Sequence, residues 1–155
     1  GMINRDKISM WGINNRLQPF QSIIADRVLK KVNGYIRKRN YVANRYDKEF
    51  KALNKYIKTP HRLKNTKEAY QLYIMSVKKR DQLIKYLINN NIECKIHYPI
   101  PLHLQKPFIH QGYKKGDFPI AEKQAKEIIT LPCHQYLSDN QIDYTIRKIK
   151  DFYLK

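Results

Sequence analysis

The sequence predicts an α+β fold: one long helix, then a small sheet of about three strands, antiparallel or mixed, which helices cover on one face. Three observations support this prediction. Apolar residues recur mostly at three- and four-residue steps over residues 17–53, which is the period of a helix. Residues 70–77 and 92–98 are short apolar or alternating stretches typical of strands. Further helical patterns lie between and after these stretches, enough to cover one face of a small sheet.

The long helix is predicted from its apolar stripe. Pro19 suits the first turn of a helix, where a missing N–H costs little, and Thr59-Pro60 interrupts the pattern beyond its end. The stripe comprises Leu17, Phe20, Ile24, Val28, Val32, Tyr35, Val42, Tyr46, Phe50 and Leu53. So long a helix extends beyond a three-stranded sheet. We therefore expect it to pack against a surface that this chain lacks, or against a second copy of the chain.

Two strands are predicted in the middle of the chain. Residues 70–77 are mostly apolar on both faces, which is typical of a central strand. A helix over residues 79–89 follows and ends at three asparagines. Residues 92–98 alternate apolar and polar side chains, so this strand is expected to be half-buried.

The last part of the sequence predicts two helices around a short extended piece. Pro119 suits the start of a helix that continues to residue 129. Residues 130–133 form the extended piece, which contains a proline. Ser138 and Gln141 have the spacing of a capping box, so the last helix begins beside them. Its buried side is predicted to carry Ile142, Ile146, Ile149 and Phe152.

We expect a single domain after a short leading segment, because 155 residues are enough to bury one core. Gly1 precedes Met2 and is interpreted as the scar of a cleaved tag. The predicted boundaries are 1–11 for the N-terminal segment and 12–155 for the domain, with the long helix at 17–53 and the α+β unit at 69–155.

The formal net charge is +18, from 31 basic and 13 acidic residues, and it would attract anions. Lysine outnumbers arginine by 22 to 9, whereas proteins that read nucleic acids rely on arginine for bidentate contacts. The charge is spread along the chain, and no known nucleic-acid-binding motif is present. A basic module that binds nucleic acid or acidic polymers is therefore an alternative, and a nucleic-acid partner is not expected.

The cysteine content and hydropathy indicate the compartment. Cys94 and Cys133 are the two cysteines, and they lie far apart in no Cys-x-x-Cys pattern, so a disulfide framework and a zinc site are not expected. No apolar run approaches the ~20 residues needed to span a bilayer, and no signal peptide is visible. We expect a cytoplasmic protein without a membrane partner.

The stretch HYPIPLHLQ, residues 97–105, is the candidate ligand-binding loop. Its two prolines fix φ and stiffen the backbone. The loop carries His97, Tyr98 and His103 beyond the end of a predicted strand, where proteins often place ligand-binding side chains. The alternative is that the prolines simply end a strand and the histidines cover a surface.

A metal site is a weaker hypothesis, because the spacing of the available ligands fits no zinc pattern. The candidate ligands would be His97, His103, His110, Cys133 and His134. We therefore expect no bound metal.

Four stretches, in this order, carry a resemblance to a known family. They are GINNRLQPFQSII (12–24), HYPIPLHLQ (97–105), GYKKGDFPIAEKQAKEIITLPCH (112–134) and SDNQIDYTIRKI (138–149). Together they resemble the C-terminal part of the DegT/StrS family of pyridoxal-phosphate-dependent nucleotide-sugar aminotransferases. The resemblance implies the small C-terminal domain of an aspartate-aminotransferase-like (fold type I) enzyme, which acts as a dimer with active sites at the subunit boundary.

The resemblance also implies a reaction and roles for five residues. Family members move an amino group, usually from glutamate, to a keto sugar on a nucleotide diphosphate, for surface polysaccharides such as lipopolysaccharide or for antibiotics. The family's Gly-x-Asn-x-Arg turn falls on Gly12, Asn14 and Arg16, which implies that Asn14 and Arg16 bind the cofactor phosphate; the alternative is a plain turn at the entry to the helix. The His-Tyr pair falls on His97 and Tyr98, near the sugar, and His103 matches a more peripheral position on the substrate side.

One departure from the family is large. The chemistry needs a lysine that binds pyridoxal phosphate covalently and an acidic partner for its pyridine nitrogen. In the family both precede the Gly-x-Asn-x-Arg turn, and here only about ten residues do. None of the 22 lysines can be assigned the role. We therefore expect no catalytic residue, pyridoxal phosphate bound only together with a missing large domain, and no activity of the chain alone.

Overall fold

The computed structural model describes residues 2–4, 7–8 and 16–154. The chain divides into two compact units, residues 1–33 and residues 34–155. The strands are β1 (Met2–Asn4), β2 (Lys7–Ile8), β3 (Ile57–Lys58), β4 (Tyr73–Val77) and β5 (Ile128–Leu131), and the helices are α1 (Pro19–Phe50), α2 (Arg80–Asn89), α3 (Pro119–Glu127) and α4 (Asp139–Leu154). Short 3₁₀ helices occupy Lys51–Leu53, Leu102–Leu104 and Lys106–Gln111.

The first unit contains an antiparallel pair and the beginning of α1. Strands β1 and β2 pair with each other, in a segment where the sequence shows no clear period. The N-terminal part of α1 and the residues just before it carry apolar side chains that are 47–73% exposed: Leu17, Phe20, Ile23, Ile24, Val28 and Leu29.

The second unit is built on a three-stranded antiparallel sheet in the order β3-β4-β5. Tyr73, Met75 and Val77 of the central strand point to one face and are at most 4% exposed. Helices cover that face, because one apolar cluster joins these residues to buried side chains of α1, α2 and α4. The helical members of the cluster are Val42, Ala43, Tyr46, Phe50, Leu83, Leu87, Ile142, Ile146 and Ile149. The α+β prediction is thus confirmed, with residues 73–77 as the central strand.

The other face of the sheet follows from the register. Strand side chains alternate, so Ile74 and Ser76 point away from the helical core. Ile74 pairs with Thr130, and Ser76 pairs with Lys58 on one side and with Ile128 on the other. These five residues form the second face of the sheet.

Helix α4 begins as its sequence predicts. The Ser138 backbone N–H donates to Gln141 Oε1 at 2.9 Å, and the Gln141 backbone N–H donates to Ser138 Oγ at 3.3 Å. This reciprocal pair satisfies two backbone donors that would otherwise lack partners at the helix N-terminus, so the capping box is confirmed.

One strand prediction is wrong, and another strand begins later than predicted. Residues 92–98 form no strand, and Lys95 alone makes an isolated bridge, with Thr130 at the outer edge of β5. The third strand is instead β3, whose two residues are too few to show an alternating pattern. The strand predicted over 70–77 begins only at Tyr73, because Tyr70 has a φ of 45°, outside the strand region.

The boundary between α3 and β5 also differs from the prediction. Ile128 and Ile129 belong to β5, not to the helix, and the extended piece is Ile128–Leu131. The Arg80 guanidinium donates to the carbonyl oxygens of Ala125 at 3.1 Å and Ile128 at 3.2 Å. Ile128 and Ile129 pair with β4, and Arg80 satisfies carbonyl oxygens that the end of the helix leaves without partners. Both contacts favour ending the helix at Glu127, and the local apolar pattern contains no information about either.

Candidate functional site

The candidate site is an open cleft of about 1220 Å³ over the second face of the sheet. Its floor includes Lys58, Ile74, Ser76 and Ile128, which the register places together. One wall is α3 and another is the segment 54–61. The beginning of α2 completes the rim.

The cleft is strongly basic. Seven of its 22 lining residues are Lys or Arg, whereas the whole chain has 31 among 155 residues. The basic residues are Lys55, Lys58, Lys78, Lys79, Arg80, Lys123 and Lys126, and Glu127 is the one acidic residue among the described lining. Positive charge is therefore concentrated here beyond the chain's average, which the linear sequence does not reveal.

Most of this charge is not neutralised within the described part of the chain. Arg80 is 11% exposed, pairs with Asp81 and holds the two carbonyls at the end of α3. By contrast, no salt bridge within 4 Å engages Lys58, Lys78, Lys79, Lys123 or Lys126 in the residues described. Several cations around one concave surface raise the local concentration of anions.

His97 of the proline-rich loop lines this cleft. Its side chain is half-buried, and Nδ1 lies 2.8 Å from Thr130 Oγ1 on the sheet face. Tyr98 packs its ring edge-on against His97, with centroids 5.5 Å apart. The side chain of Tyr98 is 73% exposed and is not among the residues lining the cleft. The peptide bond between the two residues is cis.

His103 is placed differently from His97. It is 7% exposed, outside the cleft lining, and its Nε2 lies 3.0 Å from Glu122 Oε1 of α3. The same oxygen accepts the Gly116 backbone N–H at 2.7 Å, and this bond, with His103, holds the pKa of Glu122 below its usual range. The ring also packs on Phe118 at 4.8 Å. These contacts fasten the proline-rich loop to the N-terminal turn of α3.

Of the two residues predicted to bind the cofactor phosphate, the structure describes Arg16. Arg16 is exposed, just before α1 begins at Pro19. Asn14 lies outside the described residues.

A polar network that the sequence did not predict holds the wall beside the cleft. The Arg62 guanidinium donates to both carboxylate oxygens of Asp47, at 3.1 and 3.3 Å, and to Glu68 at 3.2 Å. It also lies over the Tyr70 ring, 5.0 Å from the centroid. Tyr73 donates its hydroxyl to Asp47 at 2.7 Å. Because Asp47 belongs to α1 and Tyr73 to β4, the network anchors the segment after Pro60 to helix and sheet.

Neither a metal centre nor a complete cofactor site is assembled in the described part. No group of three or more His, Cys, Asp and Glu side chains there could hold a metal ion. Of the lysines whose side chains are described, Lys148 and Lys150 are half-buried and the others exposed. None is desolvated in the way that activates a lysine for covalent cofactor binding. The exposed Arg16 guanidinium suits a phosphate, but these residues alone do not fit pyridoxal phosphate.

The comparisons with known proteins identify the family. The model of the DegT/DnrJ/EryC1/StrS aminotransferase family matches residues 2–150. The chain belongs to this family. The predicted family is therefore confirmed, and with it the relation to pyridoxal-phosphate-dependent aminotransferases.

Individual relatives agree with this assignment. A protein described as a pleiotropic regulatory protein, from Geobacillus stearothermophilus, is 33% identical over 143 residues, 92% of this chain and 38% of that protein. The dTDP-3-amino-3,6-dideoxy-alpha-D-galactopyranose transaminase of Aneurinibacillus thermoaerophilus is 28% identical over 141 residues, 91% of this chain and 38% of that protein. This family member thus spans about 38% of the length of each of these relatives.

A solved structure shows the same fold. The aminotransferase of this family from Brucella abortus superposes with a TM-score of 0.85 at 30% identity, covering 100% of this chain and 40% of that chain. Over the residues described, no helix is both long and apolar enough to cross a membrane.

Proposed function

We propose that this chain is the C-terminal, substrate-side domain of a nucleotide-sugar aminotransferase and is inactive alone. The family match over residues 2–150 carries the proposal. The complete enzyme would transfer an amino group from glutamate to a keto sugar on a nucleotide diphosphate. It would act in the cytoplasm, in the synthesis of a surface polysaccharide such as lipopolysaccharide.

The basic cleft is the proposed site for the diphosphate of the substrate. A relative in the family is named for a dTDP-linked amino sugar, and a diphosphate carries the charge that the unpaired cleft lysines attract. Lys58, Lys123 and Lys126 border the cleft from the sheet and from α3. Ammonium groups on long stems reach a phosphate as point charges and do not require one fixed geometry.

His97 is the proposed specific contact, because its ring combines a position in the cleft with a fixed partner at Nδ1. Tyr98 would contact the substrate from its exposed position beside His97. For His103 we propose an indirect part on the substrate side, since Glu122 occupies its Nε2 and holds the loop that carries His97.

The cofactor would be shared with a larger domain. Pyridoxal phosphate, when bound, supplies the electron sink that makes amino-group transfer possible. Asn14 and Arg16 would hold its phosphate, the amide by hydrogen bonding and the guanidinium by a charge-assisted contact. The covalent lysine would come from the part of the enzyme to which the remaining length of the relatives corresponds.

A partner surface is proposed for the N-terminal part of α1. The apolar side chains there, Phe20 and Leu29 among them, are up to 73% exposed, and a contiguous apolar stripe of this kind marks an interaction site. We propose that a cofactor-domain chain, or a second copy in a homo-oligomer, covers it.

The test measures binding of inorganic pyrophosphate to the full chain by calorimetry. The cleft variant combines Lys58→Gln, Lys123→Gln and Lys126→Gln. Three exposed charge contacts of up to about 1 kcal/mol each make the expected loss of affinity roughly tenfold or more.

The matched control combines Lys64→Gln, Lys85→Gln and Lys114→Gln, which removes the same charge from exposed positions outside the cleft. We expect this control to keep affinity within about twofold at 0.15 M salt, since screening limits distant charges. Equal losses in the two triple variants would refute the cleft as the site. Tight, sequence-independent DNA binding at that salt, lost in both variants, would instead favour the basic-module alternative.

A further inference from the structure

Thr130 has no role in the proposed function so far, yet it is the fixed partner of His97. It lies in β5 on the second face of the sheet and is 6% exposed. Its Oγ1 is 2.8 Å from His97 Nδ1. A buried threonine that reaches a half-buried histidine in a cleft is placed to control that ring.

The backbone of Thr130 is held from both sides. Thr130 pairs with Ile74 of β4 on one side. On the other side its N–H donates to the Lys95 carbonyl at 2.8 Å, and its carbonyl accepts the Lys95 N–H at 3.2 Å. Because a β-branched side chain in a strand is also restricted at χ1, the hydroxyl has little freedom to move. Lys95 is two residues before His97, so the same bridge fixes the start of the loop.

The direction of the hydrogen bond follows from the burial of the hydroxyl. Within the described residues, His97 Nδ1 is the hydrogen-bond partner of Thr130 Oγ1. A buried O–H without an acceptor costs more than an acceptor lone pair left unused. Burial thus favours the arrangement in which the hydroxyl donates to Nδ1, which leaves the proton of a neutral ring on Nε2.

We propose that Thr130 is a positioning residue for His97, fixing the ring and its tautomer so that Nε2–H is the donor offered to an anionic ligand in the cleft. This inference rests on the proposed function for the identity of the ligand, but not for the state of the ring. It explains why a histidine can give a directed hydrogen bond among lysines that supply only diffuse charge.

The experiment is ¹⁵N-detected NMR of the histidine rings in the full chain at pH 8, above the usual pKa range of histidine. In the wild type we expect His97 Nδ1 to be unprotonated, Nε2 to be protonated, and the ring to show NOEs to the Thr130 methyl group. Thr130→Val should give mixed tautomers and a mobile ring, and Thr130→Ser should restore the wild-type tautomer. Thr145→Val is the control, because Thr145 is 4% exposed and donates to Gln141 in α4. It should leave His97 unchanged.

Pyrophosphate affinity gives the second measurement, and we expect Thr130→Val to lower it about fivefold, as the loss of one oriented hydrogen bond would. The inference is overturned if wild-type His97 carries its proton on Nδ1, or if Thr130→Val leaves both its ring signals and the affinity unchanged. The wild-type spectrum decides the tautomer even if Thr130→Val does not fold. If the spectra are as expected and pyrophosphate does not bind to the wild type, the positioning of His97 stands and the proposed phosphate site fails.

Discussion

Two buried tyrosines allow the contribution of single hydrogen bonds to the stability of the chain to be measured, by removing one hydroxyl oxygen from each. Tyr73 and Tyr46 are both 0% exposed and pack against each other, with centroids 5.0 Å apart. Tyr73 donates to the Asp47 carboxylate at 2.7 Å, and Tyr46 donates to the Pro132 carbonyl at 3.1 Å. Replacing each tyrosine by phenylalanine therefore compares the loss of a hydrogen bond to a charged acceptor with the loss of one to a neutral acceptor in the same core.

We expect Tyr73→Phe to lower the free energy of unfolding by about 2 kcal/mol, within the usual range for a hydrogen bond to a charged group. The loss is not larger because Asp47 is 24% exposed and keeps both contacts with Arg62. For Tyr46→Phe we expect about 1 kcal/mol, because the acceptor is neutral and water reaches the half-buried Pro132.

The assay is equilibrium unfolding in urea at pH 7, with pyrophosphate binding measured on the same samples. Because Arg62 still holds the wall in Tyr73→Phe, the affinity for pyrophosphate should stay at the wild-type value while the urea midpoint falls. A loss of stability in Tyr46→Phe equal to or larger than that in Tyr73→Phe would refute this reasoning. A fall in affinity in Tyr73→Phe would show that the wall depends on the hydroxyl and not on Arg62.

Two further predictions concern acid stability and thiol reactivity. The Gly116 N–H and His103 hold the pKa of Glu122 below its usual value of 4.5, so its stabilisation is present above that value and is lost as the pH falls through the lower folded-state pKa. Urea midpoints between about pH 5 and pH 3 should therefore fall less steeply in Glu122→Gln than in the wild type. Burial raises the pKa of the Cys94 and Cys133 thiols to about 11, so at pH 8 about one thiol in a thousand is the reactive thiolate. A chromogenic disulfide reagent should label neither cysteine in the native chain within minutes, and both in 8 M urea.

Both predictions have an internal comparison. An identical acid slope in wild type and Glu122→Gln would contradict the contact of Glu122 with Gly116 and His103. For the thiols, a native labelling rate near that of the urea-unfolded chain would contradict the burial of Cys94 or Cys133.

Local signals predicted those elements that depend on near neighbours in the chain. The stripe that begins at Leu17, the proline at the start of α3 and the capping box at Ser138 each act within a few residues. A helix was therefore predicted at each of them, although α3 ends before its predicted end. The prediction for residues 92–98 was wrong, although these residues alternate apolar and polar side chains as a strand does. A strand requires a hydrogen-bonded partner along its length, and only Lys95 finds one, at Thr130. Strand β3 is the opposite case: its two residues show no strand pattern in the sequence, but they form a strand because they pair with β4.

The same division holds for the site. The sequence alone determined the α+β class and the family, and it singled out His97 as a candidate site residue, because these depend on residue types at fixed spacings. Only the tertiary structure decided that lysines from β3 and α3 surround one cleft with His97. It also showed that His103 contacts Glu122 of α3, and that Thr130, 33 residues beyond His97, lies 2.8 Å from the His97 ring. The physical reason is that the cleft and its positive electrostatic potential arise from residues that are distant in the chain. The register of the sheet brings these residues together, and that register cannot be read from a local sequence pattern.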